Sequence, residues 1–588
     1  MNKSLRLAVE TPEHASAPVA DDVGTGAQTP YAQDAFERWI LFLDTLRERA
    51  DNMIAHERQD MPPLLDFDYE LLLDARSFER PANYALLRIT RVGEDCWDDC
   101  VDAAKPPVIV IDPRAGHGPG IGGFKRDSEV GMAMHEGHPV YFVIFFPEPV
   151  PGQTLADVHY ALRDFVSEAA RRHRDTAPVL YGNCQAGWAA TLLAADCEGL
   201  TGPVVLNGSP LSYWSGEAES SPMRMMGALT GGAWAAHMIS DLGDGRFDGA
   251  WLAQNFESLQ PEKAIWDKYA TLFAHADTER ERFLEFERWW NGYYTLSREE
   301  ILAITQNLFI GNKLEQGEMQ LDDHCTIDLR RIENPMIIFA SEGDNITPPE
   351  QAMGWIAKLY PDTGALKAAG QRIVYMTHGH VGHLGIFVSG SVARLQHRAI
   401  LESLDEVEAL APGLYEMVID TPAGDPDCET GDFTVRFVPR EVHDLRIASE
   451  DAALAQVAQV SRINEAAYSA FVSPWLRAAT SPASAEVLRA LHPMRWTRTM
   501  FSERVNPWMA LVKSTAETLR ATRDPLSEDH LAIVTERALS ARTGEVLGAW
   551  RKGRDAWIGH VFAAMFGPFP VIPAPAQADH PDAASQKE

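Results

Sequence analysis

Between residues 106 and 207, short uninterrupted apolar runs alternate with longer stretches in which apolar positions recur every three or four residues. The runs are Val108 to Asp112, Val140 to Phe146, Pro178 to Tyr181 and Pro203 to Asn207; the amphipathic stretches lie near 126–136, 154–172 and 186–197. Strands that are apolar throughout and alternate with helices predict an α/β unit, a mostly parallel sheet with helices on both faces. Two further strands, Met336 to Ala340 and Ile373 to Met376, continue the pattern, so the sheet core is expected over 105–210 and 331–404. Between them, residues 211–330 are rich in Trp, Met, Phe and charge and helical in spacing (FLEFERWWNGYY), which predicts a helical lid inserted between strands. Phe36, Ile40, Leu41, Leu43, Leu46 and Met53 recur at helical spacing and predict one long docking helix in a helical region over 30–104. Beyond 405, a hairpin (LYEMVI, then FTVRFV) precedes a mostly helical stretch reaching 566. Residues 1–29 and 567–588 show neither period and read as disordered tails.

Composition narrows the class. A chain of 588 residues with 45% hydrophobic and 23% charged side chains is an ordinary folded protein of more than one unit. Its 52 basic and 84 acidic residues leave a net charge of -32, which repels phosphate backbones and disfavours nucleic acid as a partner. The longest apolar run, Val140 to Phe146, is too short to span a bilayer, and Met1 to Ala20 holds no signal-peptide core, so a cytoplasmic protein is expected. The six cysteines (Cys96, Cys100, Cys184, Cys197, Cys325, Cys428) make no disulfide framework; Cys96 and Cys100 read as structural thiols.

Cys184 is different, because PVLYGNCQAGW places it on a sharp turn between an apolar strand and a helix. Such a nucleophile elbow forces a strained backbone at the nucleophile and demands small residues two before and two after it, here Gly182 and Ala186. The helix amino end then points at the sulfur and favours its attack on acyl carbon. A nucleophile–acid–base order along the chain supplies the partners. Asp344 follows the strand MIIFA, with Glu342 as a competing carboxylate, and His383 follows IVYMT in a loop that also holds His378 and His380. His383 is the expected base and His380 the alternative. These three histidines lack the paired Cys or spaced carboxylates of a metal centre, and no metal is expected. An oxyanion hole would draw one N–H from Gln185 and another from the glycine loop Pro113 to Gly123, at His117 or Gly118. That loop also contains a G-x-G-x-x-G spacing over Gly118 to Gly123, but proline inside it and the absence of a following acidic strand end argue against a dinucleotide site.

On these residues, the stretch 106–400 resembles the catalytic domain of poly(3-hydroxyalkanoate) synthases, α/β-hydrolase-fold acyltransferases with a Cys nucleophile in a G-x-C-x-G-G box, here Gly182 to Gly187. The resemblance continues through Asn312-Lys313-Leu314, Gly317, Ile327-Asp328-Leu329, Ile332 and Pro335 to the segments around Asp344 and Gly382-His383. The whole chain, including YAQDAFERWILFLDTLRERADNM and PPLLDFDYELLLDARSFERPANYAL, looks more like the uncharacterised DUF3141 proteins. Ala186 replaces one glycine of the box, Leu384 stands where the synthases carry Ile, and residues 384–588 form a longer tail than theirs. The resemblance implies the Cys184/Asp344/His383 triad, a coenzyme A thioester as substrate with no further cofactor, and a homodimer or a polyester granule surface as larger partners. Transfer to a hydroxyacyl group, or hydrolysis as a thioesterase, esterase or polyester hydrolase, would fit the same residues; a non-catalytic scaffold is the competing class. The lid aromatics Trp251, Phe273, Trp289, Trp290, Tyr293 and Tyr294 suit either an acyl pocket or a helical core.

Overall fold

The computed structural model describes residues 28–92, 101–197, 199–216, 221–421, 433–447 and 451–567. In chain order the strands are β1 (Phe67–Asp74), β2 (Tyr84–Val92), β3 (Val108–Ile111), β4 (Val140–Phe145), β5 (Val179–Asn183), β6 (Val204–Asn207), β7 (Arg246–Asp248), β8 (Thr295–Ser297), β9 (Met319–Asp322), β10 (Cys325–Ile327), β11 (Met336–Ser341), β12 (Arg372–His378), β13 (Gly413–Asp420) and β14 (Thr434–Arg440). One large sheet has the order β1-β2-β4-β3-β5-β6-β11-β12-β13-β14. Its pairings from β4 through β13 are parallel, whereas β2 on β4, β1 on β2 and β14 on β13 are antiparallel. This is the α/β-hydrolase fold.

Every residue of β3, β4, β5, β6 and β11 is buried, which explains their uninterrupted apolar sequences. The two-residue period of each strand divides the core between the sheet faces. Ile109 and Ile111 pack with Leu162, Phe165 and Leu193 on one side; Val108 and Val110 pack with Val130, Ile386 and Ile400 on the other. Helix Leu155–Arg172 starts on a reciprocal Thr154/Asp157 capping box, which satisfies amide groups left open by the first turn.

Three expectations need correction. The region 30–104 begins with the expected long helix, Gln28–Arg58, but then supplies β1 and β2 to the sheet instead of further helix. β1 is a largely exposed edge strand whose register on β2 is broken by irregularities, so its sequence carries no clean alternation. The lid is not purely helical: the two-stranded sheets β7–β8 and β9–β10 interrupt it. The β13–β14 hairpin forms as expected, yet it extends the main sheet.

The helices after 451 pack onto the amino-terminal helix and the lid. Arg38 joins Asp34 and Glu536 at 2.8 and 2.7 Å, Arg520 joins Asp44 at 2.7 Å, and Arg495 joins Asp248 at 2.9 Å. Among the described residues no helix is long and apolar enough to cross a membrane. The tail assignments 1–29 and 567–588, apart from residues 28, 29 and 567, and the readings of Cys96, Cys100 and Cys428 lie outside the described residues.

Candidate active site

β5 ends at Asn183 and the next helix, Ala186–Asp196, starts two residues after Cys184, so the chain must reverse within that turn. Cys184 adopts φ +50, the left-handed region that a side chain ordinarily avoids. Its N–H donates to Asn207 O at 2.8 Å, and its carbonyl accepts from Gly187 N at 3.0 Å. The small residues have identifiable neighbours. A Cβ on Gly182 would lie 2.8 Å from Gly187 Cα and 3.0 Å from Ala190 Cβ, and a Cβ on Gly187 would overlap the Ser209 side chain. Gly208, at φ +51 with its open side facing the His383 ring, is a requirement the sequence reading did not single out. Gly187→Ala is expected to lower unfolding free energy by about 1–3 kcal/mol in denaturant titration, through overpacking against Ser209; an unchanged midpoint would mean that the helix absorbs the methyl group without strain.

His383 opens a short helix after β12 and Asp344 follows β11, so adjacent strands carry the base and the acid to one sheet edge. His383 Nδ1 lies 2.6 Å from Asp344 Oδ2, and both side chains are buried. The other carboxylate oxygen of Asp344 accepts from the N–H groups of Ile346 and Thr347, each at 2.8 Å. Burial disfavours a charged imidazole at His383, but the charges of Asp344 and Cys184 and hydrogen bonds to both outweigh it, pushing the pKa up to about 10. Glu342 and His380 are exposed. His378 Nδ1 accepts from the N–H groups of His380 and Val381 at 3.3 and 3.1 Å and so closes the turn. Only one imidazole of this cluster therefore meets the acid and the thiol.

Cys184 and His383 open into a cavity of about 340 Å³ that is roofed by the lid residues Phe256, Phe286, Trp289 and Trp290. Trp289 and Trp290 thus face the chamber, whereas Phe273 packs on Trp39 and Phe42, Tyr294 donates to Met61 O, and Trp251 packs on His492. Tyr293 is fully buried and hydrogen-bonded to Asn291. Charged groups at the rim are internally paired, as Lys268 is with Glu287 at 2.9 Å. The chamber suits an apolar chain ending at a reactive carbonyl.

Gln185 caps the helix beside the sulfur, where its N–H belongs to the open first turn. The glycine loop departs from expectation at Gly118, whose N–H donates to Gly292 O at 2.9 Å and whose carbonyl accepts from Trp289 Nε1 at 3.1 Å. Those bonds staple the loop to the lid and leave that N–H unable to meet a substrate oxygen. His117 lines the chamber, bridges to Tyr293 and stacks near Trp290 at 4.3 Å between ring centres; burial pushes its imidazole down to about 3, so the ring is neutral. A dinucleotide is also poorly served, because Asp112 Oδ2 and Oδ1 accept the N–H groups of Gly120 and Gly122 at 2.6 and 3.1 Å. A phosphate would find those donors occupied by a carboxylate.

Elsewhere, His159, Asp196 and Cys325 offer ligand atoms within 4.8 Å of one another. Asp196 is already paired with His159 at 3.0 Å and with Arg163 at 3.1 Å, and a guanidinium on the same oxygen competes with any cation.

The chain is 42% identical over 567 residues to the "Uncharacterized protein in ackA 5'region" of Rhizobium meliloti, covering 95% of this chain and 76% of that one. It is 24% identical over 282 residues to the poly(3-hydroxyalkanoate) polymerase subunit PhaC of Haloferax mediterranei, covering 45% of this chain and 51% of the relative. The corresponding subunit of Synechocystis is 24% identical over 251 residues, covering 42% and 62%. Similar solved structures include a monoglyceride lipase from Saccharomyces cerevisiae (TM-score 0.37, 13% identity, covering 59% of this chain and 96% of that one) and a putative lipase from Acinetobacter baumannii (TM-score 0.32, 14% identity, covering 66% and 99%). Residues 34–588 match DUF3141, described as a protein of unknown function. The chain belongs to the DUF3141 family.

Proposed function

We propose that the protein is a cysteine-nucleophile acyltransferase or hydrolase acting on acyl thioesters, with Cys184, His383 and Asp344 as nucleophile, base and orienting acid. The observation that carries this reading is a buried His383 bonded to Asp344 at 2.6 Å and a Cys184 held at φ +50, the histidine and the thiol both lining one apolar chamber. His383 takes the thiol proton; the sulfur attacks the acyl carbon, and the oxyanion meets the helix amino end at Gln185. Collapse of the tetrahedral intermediate breaks the bond to the carrier thiol, which leaves with the proton from the imidazolium. The now neutral His383 removes a proton from the acceptor hydroxyl, whose oxygen attacks the Cys184 thioester and frees the thiol. Water as acceptor gives an acid; a hydroxyacyl group gives an oligoester. The two relatives named as poly(3-hydroxyalkanoate) polymerase subunits support a hydroxyalkanoate group as cargo; coenzyme A as carrier follows from the resemblance of residues 106–400 to the synthases.

The test is release of free coenzyme A from 3-hydroxybutyryl-coenzyme A by the purified protein, with the remaining acyl material analysed as acid or oligomer. Release is expected, and the product separates hydrolysis from transfer. No release, together with a Cys184 no more reactive to iodoacetamide than Cys197 and Cys325, would sink the reading in favour of a scaffold. Because His380 is exposed and it is His383 that holds the Asp344 carboxylate, His380→Ala is expected to keep turnover within about threefold of the unaltered protein. A profound loss there would transfer the base to His380.

A further inference from the structure

Beneath the Cys184 turn lies a closed set of polar side chains that this chemistry does not use. Asp112 and Glu129 are both buried there, and their hydrogen-bond partners are amides with no Lys or Arg among them. Asn183, the residue before Cys184, donates through Nδ2 to Glu129 Oε2 and to Asp112 Oδ1, the latter at 3.5 Å. Asn207 donates through Nδ2 to Glu129 Oε1 at 3.3 Å and to Asn183 Oδ1 at 3.0 Å. The main-chain carbonyl of the same Asn207 accepts the Cys184 N–H. Glu129 thus holds, through its two oxygens, the residues that end β5 and β6 on either side of the elbow.

His397 is a further neighbour, 3.7 Å from Glu129 Oε1. It bonds Ile386 O through Nε2 and the Tyr181 hydroxyl through Nδ1, each at 2.7 Å, and burial lowers its pKa to about 4, so it brings no positive charge. Burial raises Glu129 well above the ordinary carboxylate range, and the Asp112 charge adds to this; burial also pushes Asp112 up to about 6. Asn207 Oδ1 is buried without a hydrogen-bond partner.

We propose that Glu129 is a positioning residue for the nucleophile: by gripping the Asn183 and Asn207 amides it fixes the ends of β5 and β6, and with them the left-handed backbone on which Cys184 stands. This inference rests on the reading of Cys184 as nucleophile and extends it to a group that never touches substrate. The geometry at stake is fine, since misplacement of a reacting atom by about 1 Å can cost on the order of 100-fold in rate.

The test compares Glu129→Gln, Glu129→Met and Glu129→Ala in the full-length protein by two readouts: the rate of Cys184 alkylation by iodoacetamide, followed by mass spectrometry, and kcat and KM for thioester turnover. Glutamine keeps the shape and one acceptor oxygen for the amides that Glu129 holds, so both rates are expected within about threefold of the unaltered protein. Methionine keeps the volume but removes the hydrogen bonds, and should slow alkylation and kcat by roughly 10- to 100-fold with KM unchanged. Alanine should do the same, and methionine decides the matter if alanine fails to fold. Unaltered alkylation and kcat in the methionine variant would overturn the proposal, as would a glutamine variant impaired as severely as methionine. If the unaltered protein shows no turnover, the acyl-transfer reading fails by itself, and the alkylation comparison still decides the positioning role.

Discussion

Cys184→Ala is expected to lower thioester turnover by at least about 1,000-fold while leaving the fold intact. The magnitude is that of removing a nucleophile whose partners have no other group to activate. The fold should persist because the sulfur lines the chamber and alanine demands no more room. The backbone strain at φ +50 is the same for either side chain. The measurement is coenzyme A release by both proteins, with thermal unfolding as the control. Retention of a tenth or more of the activity by the alanine protein would place the nucleophile elsewhere, and Cys325 beside His159 and Asp196 would be the next thiol to replace.

Asp344→Asn has the second large effect, expected to lower turnover by about 1,000-fold or more, because an amide can hold the imidazole in the wrong tautomer. It also alters how stability depends on pH. The His383 pKa is raised from an ordinary 6.5 to about 10, so the folded protein binds that proton more tightly than the unfolded chain does. Its contribution to stability is fully present below pH 6.5 and is lost as the pH climbs from there through 10. The unaltered protein is therefore expected to lose unfolding midpoint steadily from pH 7 to pH 10, and Asp344→Asn, lacking the carboxylate charge, to show a visibly flatter profile over the same window. Parallel profiles for the two proteins would mean that Asp344 does not hold the proton on His383.

Much of this site was legible because its parts stand at ends of strands. Cys184, Asp344 and His383 each follow an apolar run, and a parallel sheet brings such positions to one edge without any knowledge of side-chain contacts. Gly118 was misjudged because the partner that occupies its N–H, Gly292, lies far along the chain in the lid. Glu129 was invisible for a different reason: an acidic residue in a helix's first turn is ordinary, and only the approach of Asn183 and Asn207 from other strands gives it a role. β1 escaped notice because an exposed edge strand is defined by its backbone partner more than by its pattern; β2 lies inside the sheet and is buried, and its apolar run YALLRI was read with the helical region. The clamp between the two ends of the chain, such as Arg38 on Glu536, leaves no local trace in either segment.

The lid leaves the sheet after β6 and returns at β11, yet those two strands are immediate neighbours. Cys184 therefore belongs to one half of the sheet, and its acid and base belong to the other. Their meeting depends on one parallel pairing closed across residues 208–335, a long loop whose entropic cost grows only as about 0.6 kcal/mol per doubling of length. During synthesis the thiol-bearing half emerges first, and until β11 docks on β6 the chain holds a cysteine with neither base nor chamber. On the proposed reading, this arrangement ties the activation of Cys184 to the finished sheet, because an incompletely made chain lacks the base that takes its proton.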